Sequence, residues 1–148
     1  MNEVTVFDLW QAWPAAYRAM AHVESTVRRS GLDVGLYELV KVRTSQLHGC
    51  SYCTDLHLCE ARKLGERDER LDALGTWRDA VAFTPRERAA LALADAIAAI
   101  PEADVRAVVE EARRHFAEDE LAQLVVGIVT MGAWNRLTII GGPPHPGR

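Results

Sequence analysis

Asp33-Val-Gly-Leu-Tyr-Glu38-Leu-Val-Lys41-Val-Arg-Thr-Ser45-Gln-Leu-His48-Gly49-Cys50-Ser-Tyr52-Cys53-Thr-Asp-Leu-His57-Leu-Cys59-Glu-Ala61-Arg-Lys-Leu-Gly65 decides how this chain is read. Leu36, Leu39, Val40 and Val42 recur at the three- and four-residue spacing of a helix face. That helix begins after Asp33 and runs to about His48, where Gly49 breaks it. A second helix starts at Cys50-Ser-Tyr-Cys53 and ends before Gly65. Two helices thus meet at a turn that carries a pair of cysteines.

The same period extends outward in both directions. A first helix is expected over roughly Trp10 to Arg29, with Pro14 tolerated near its first turn and Ser30-Gly31 as its stop. A short charged helix follows over Glu66 to Leu74. Thr84-Pro85-Arg86-Glu87 is a strong start signal, with a threonine cap, proline at the first helical position and a glutamate able to reach back. The helix it opens runs to about Ile100 with an alanine-rich face that permits close approach, and Pro101 ends it. Further helices are expected over Ala103 to Phe116 and Asp119 to Ile140. Clean alternation never exceeds Val4-Thr5-Val6, so strands are not needed. The reading is a single all-α domain over residues 1–140, a compact bundle of about six to seven helices, followed by a flexible tail over 141–148.

Composition agrees with one compact domain. The 148 residues are 49% apolar and 26% charged, and 17 Lys and Arg stand against 21 Asp and Glu, a formal charge of −4. No basic block tracks a phosphate backbone, which argues against a nucleic-acid partner. The first ten residues lack a basic and then apolar leader, so a cytoplasmic location is expected. Leu121 to Ile140 is long enough to span a bilayer, but Gln123, Asn135 and Arg136 fit a buried helix better, and no membrane partner is expected. A helix apolar nearly all round must be covered by a neighbour or another subunit, which predicts a homo-oligomer.

The chemistry lies in the cysteines. Cys50 and Cys53 stand three apart at a helix start, where Cα atoms about 5–6 Å apart allow a disulfide. The unpaired N–H groups and positive dipole end of that turn favour a thiolate. His57 lies one turn beyond Cys53 on the same face, placed to exchange a proton with it directly or through water. If the two helices pack antiparallel, Glu38 lies ~16 Å and His57 ~12 Å from the turn, so glutamate and imidazole come within reach through one water. Among apolar neighbours, burial is expected to raise the pKa of Glu38.

Glu38, the twelve-residue spacing to Cys50-Ser-Tyr-Cys53, and His57 together resemble the signature of the alkylhydroperoxidase D-like family, also called the carboxymuconolactone decarboxylase family. The likeness also covers Gly31-Leu32 through Gly65, Trp77-Arg78, Phe83 through Leu91, and Trp134-Asn135-Arg136-Leu137. It implies an all-α fold assembled as a trimer or hexamer, and thiol-dependent reduction of a small-molecule hydroperoxide with electrons returned by a dithiol or lipoyl-type reductant. It also implies that Cys53 becomes the sulfenic acid, that Cys50 resolves it, and that Glu38 and His57 relay protons. No cofactor is expected. The best-known peroxidase members carry a histidine where this chain has Tyr52, so their full relay does not transfer.

Other readings stand beside this one. Cys50, Cys53, His57 and Cys59 include zinc-ligand types, though Cys59 lies about 240° round the helix from Cys53 and no second CxxC is present. A non-catalytic oligomeric or metal-binding module, and a decarboxylase acting on a lactone, are the alternatives. Cys59 reads as a small core residue. Glu38 could form an ordinary surface pair with Lys41. His48 could be a cation at a helix end or a second proton shuttle. The four tryptophans, Trp10, Trp13, Trp77 and Trp134, are expected in core or interface. Asn135 and Arg136 are expected to find partners across a subunit contact or in an acid such as Glu87.

Overall fold

The computed structural model describes residues 7–145. Among them are eight α-helices and one 3-10 turn: α1 (Leu9–Ala12), α2 (Pro14–Arg28), α3 (Val34–His48), α4 (Ser51–Lys63), α5 (Asp68–Asp72), the 3-10 turn (Ala73–Thr76), α6 (Pro85–Ala98), α7 (Val105–Ala112) and α8 (Glu118–Gly141). No strand occurs among the described residues.

The central element is α3, which packs against α4, α6 and α8. Its residues Leu36 through Val42 are all buried, which is why its sequence is apolar nearly all round and why the two charged residues in that run must find partners. Asp33 caps it, with Oδ1 accepting from the Leu36 N–H at 2.7 Å. Gly49 ends it at φ 69°, a left-handed turn that glycine adopts without a Cβ penalty. One core lies between α3, α6, α7 and α8 and includes Tyr37, Val40, Ala90, Leu93, Ala94, Leu124 and Ile128. A second joins α3 and α4 to the 3-10 turn through Leu39, Val42, Ala61, Leu74, Trp77 and Leu91.

Some boundaries differ from the expectation. The first helix is two: α1 stops at Ala12, Trp13 leaves the helical conformation at φ −144° and ψ 77°, and Pro14 opens α2 at its first position, where a missing N–H costs nothing. Trp13 is 68% exposed rather than buried, whereas Trp10 and Trp77 are in the core. The capping box of Thr84 and Glu87 forms as its spacing predicts. Glu87 bonds Arg70, not Arg136. Asn135, fully buried, donates to Ser45 Oγ at 3.0 Å and lies 3.1 Å from His48 Nδ1, and Arg136 donates to the Gly132 carbonyl. The partners sought for this pair come from α3 and from α8 itself.

By length and composition α8 could cross a membrane, but half of its most apolar window is buried within the fold. The segment after it turns back on the N-terminus: Trp10 Nε1 donates to the Gly142 carbonyl at 3.1 Å, and His145 Nε2 lies 3.1 Å from the Asp8 carboxylate. Residues 146–148 lie outside the described residues.

Candidate active site

Cys50 is the N-cap of α4, and its sulfur takes the place a serine hydroxyl would occupy, accepting from the Cys53 N–H at 3.3 Å. Cys50 and Cys53 are joined in a disulfide with Cα atoms 5.3 Å apart, the separation that the i, i+3 placement predicts. Both are buried and packed against Met131 and Trp134 of α8.

The two cysteines are not equivalent. Cys53 lines a cavity of about 370 Å³, and Cys50 does not. His57 also lines the cavity, with Tyr17, Leu56, Met131 and Trp134 among its apolar and aromatic lining and Glu24 and Arg28 among its charged lining; Tyr52 and Pro144 line it too. Trp10, Tyr17 and Trp134 hold one another through ring contacts of 5.5–6.1 Å, so this wall is fixed by packing.

Glu38 sits opposite His57 across the α3–α4 interface, with Oε2 accepting from Nδ1 at 2.9 Å. The contact is direct, with no need for the expected water. Because a carboxylate can only accept, Nδ1 carries the hydrogen, and Nε2 is the ring nitrogen free to act elsewhere. Lys41 is fully buried, and its ammonium lies 2.7 Å from Glu38 Oε1. The Glu38–Lys41 pair is therefore an interior one, not the surface pair of the alternative reading. Burial pushes the pKa of Glu38 up, but the hydrogen bond from His57 and the charge of Lys41 outweigh it and hold the carboxyl below its ordinary value of 4.5. This reverses the direction expected from burial alone, because a cation shares the buried site.

A second layer of charge comes from α2, which no spacing argument connected to this site. Glu24 Oε1 lies 3.4 Å from Lys41 Nζ, and its Oε2 accepts from the Tyr37 hydroxyl at 2.8 Å. Burial, then the Glu24 carboxylate, pushes the Tyr37 phenol well above 10, so it remains a donor. Arg28 reaches both Glu24, at 3.2 Å, and Glu38, at 3.3 Å. Lys41 also stands 4.1 Å over the Tyr37 ring. Two carboxylates and two cations thus balance beside the imidazole.

The remaining sequence candidates fall elsewhere. Cys59 is free and exposed, not a core residue. His48 contacts Asn135 and does not line the cavity. Among the described residues, no three His, Cys, Asp or Glu side chains are grouped to hold a metal ion.

An all-helical fold with a CxxC disulfide at the start of an interior helix, beside a glutamate–histidine pair, defines the class. The profile of the carboxymuconolactone decarboxylase family matches residues 13–96. The uncharacterised protein YdfG of Bacillus subtilis is 34% identical over 87% of this chain and 88% of its own. The uncharacterised protein YnjA of Escherichia coli is 28% identical over 72% of this chain and 59% of its own. A crystal structure from Agrobacterium tumefaciens superposes with a TM-score of 0.87 at 32% identity, covering 91% of this chain and 93% of that one. That protein is described as one of unknown function and a candidate AhpD antioxidant-defence protein. The chain belongs to the carboxymuconolactone decarboxylase family and has its AhpD-like fold.

Proposed function

We propose that the protein is a thiol-dependent peroxidase that reduces a hydroperoxide at the expense of the Cys50–Cys53 dithiol. The observation that carries this reading is the asymmetry of the pair. Cys53 lines a cavity together with an imidazole already oriented by Glu38, while Cys50, bonded to it, does not line that cavity.

In the reduced state, His57 Nε2 accepts the Cys53 proton, and the imidazolium formed is stabilised by the Glu38 carboxylate. The thiolate attacks the terminal peroxide oxygen. The O–O bond breaks, the alkoxide leaves and takes the proton from His57, and Cys53 is left as a sulfenic acid. Cys50 then attacks the Cys53 sulfur. The S–S bond forms, and the hydroxyl departs with the Cys50 proton as water. One hydroperoxide and two thiols give one alcohol, one water and one disulfide. A dithiol of the lipoyl class resets the site by attacking the Cys53 sulfur, with Cys50 as the leaving thiolate held at the α4 N-terminus. Tyr52, which also lines the cavity, offers a hydroxyl donor there.

Stopped-flow consumption of tert-butyl hydroperoxide by the reduced protein tests the reading. The wild type should lose two of its three thiols per equivalent of peroxide, and Cys53→Ser should lose the reaction. Unchanged consumption by Cys53→Ser would overturn it. The lactone decarboxylase alternative predicts indifference to thiol alkylation, which the same preparation tests.

A further inference from the structure

We propose that Lys41 is a positioning residue for the thiol chemistry: its buried ammonium keeps Glu38 ionised, and through Glu38 it fixes the tautomer and basicity of His57. The inference rests on the peroxidase reading only for the identity of the reaction. The arrangement of charge would act on Cys53 whatever its substrate.

Lys41 has no exposed surface, and a buried lysine is costly unless paired and hydrogen-bonded. Its partners are Glu38 at 2.7 Å, Glu24 at 3.4 Å and the face of Tyr37 at 4.1 Å. Packing alone would be served as well by methionine or leucine of similar volume. The charged groups around the cluster are Glu24 and Arg28 from α2, Tyr37 and Glu38 from α3, and His57 and Glu60 from α4. Glu60 is committed to Lys63 at 2.7 Å. From α8, Arg136 bonds Gly132 and lies beside His48 rather than here. With Lys41 and Arg28 present, Glu24 and Glu38 can both be ionised. Without Lys41, one cation would face two carboxylates in a desolvated site, and one of them would take up a proton.

That consequence reaches the sulfur by a short route. A protonated Glu38 can turn its O–H towards Nδ1, which then accepts and leaves the hydrogen on Nε2, the nitrogen that must receive the Cys53 proton. Even in the correct tautomer, a neutral Glu38 would no longer stabilise the imidazolium. Either way Cys53 should hold its proton to higher pH.

The test uses chains in which Cys53 is the sole cysteine (Cys50→Ser, Cys59→Ser), and the rate of iodoacetamide alkylation is followed from pH 5 to 10. Lys41→Met should raise the midpoint by about one pH unit, so that alkylation well below both midpoints slows about tenfold. Lys41→Arg should restore most of the rate. Should Lys41→Met fail to give the wild-type helical circular dichroism, Lys41→Gln keeps a hydrogen-bond donor for the Glu38 carboxylate without the charge, and the midpoint should likewise rise. A folded variant of either kind with the wild-type midpoint would overturn the proposal. The assay contains no peroxide. A raised midpoint in a protein that consumes no hydroperoxide would therefore remove the peroxidase reading alone, and an unchanged midpoint in an active peroxidase would remove the role of Lys41 alone.

Discussion

Glu38 is the side chain on which local chemistry and stability meet, and its pH dependence follows from the sign of its shift. The folded state holds its carboxyl below the ordinary 4.5, so the unfolded chain binds the proton more readily. The stabilisation is fully present above about pH 4.5 and is lost as the pH falls through the lower folded value. Glu38→Gln removes it and leaves Lys41 with Glu24 alone, which at pH 7 should cost up to about 3 kcal/mol by urea unfolding. As the pH falls towards 3, wild type and variant should converge. A gap that stays constant would show that the carboxylate charge contributes nothing. The residues of this site were unequally legible in the sequence. Cys50, Cys53, His57 and Glu38 lie on two helices joined by one turn, where residue spacing fixes distance, and the structure brings all four together. Lys41 stood in the same stretch, yet i, i+3 spacing to Glu38 describes a surface pair as well as a buried one. Glu24 and Arg28 come from a helix whose docking no periodicity states, so the charge balance that sets the Glu38 pKa was out of reach.

Among the elements, the joint between α3 and α4 is the one on which the site depends. Gly49 at φ 69° lets α3 stop one residue before Cys50 takes up its capping role. A Cβ placed there would meet nothing within 4 Å, so the cost of a side chain is that of the backbone conformation alone. Gly49→Ala should lower stability by about 1–2 kcal/mol in denaturant unfolding, and Gly49→Asn by less, since asparagine tolerates this region. Gly75 is the control: it also has open space about it but no positive φ, and Gly75→Ala should change little. Equal losses at both positions would refute the argument. Helix identity was readable wherever a cap or a glycine punctuated the period, as at Asp33, Gly49 and Thr84. It failed at Trp13, where the apolar pattern runs unbroken through a backbone that does not, and the proline was the better guide. The expected span over Ala103 to Phe116 shrank to Val105–Ala112, because Asp104 rather than Ala103 supplies the cap and the last turn is not helical.

At the scale of the whole molecule, what remains to be explained is the outward face of α8. Ala122, Val126, Val129, Arg136 and Ile140 are exposed, with half-buried Ala133 between them, and their spacing of four and three residues places them in one stripe along the helix. Val129 is 53% exposed and Ile140 47%, and the stripe carries a single charge. The opposite face supplies Met131, Trp134 and Thr138 to the cavity. A solvated helix of this length ordinarily alternates charge on its outer face, and a bare apolar stripe at this spacing suits packing against another helix. The expected partner is a second copy of the chain, in keeping with the homo-oligomer that the apolar sequence of α8 predicted. Sedimentation equilibrium should give a mass above that of one 16.4 kDa chain. Val126→Glu with Val129→Glu should reduce it to the monomer, since two carboxylates buried at a symmetric contact would face their own counterparts. A wild type that sediments as a single chain would show instead that the stripe is simply wetted.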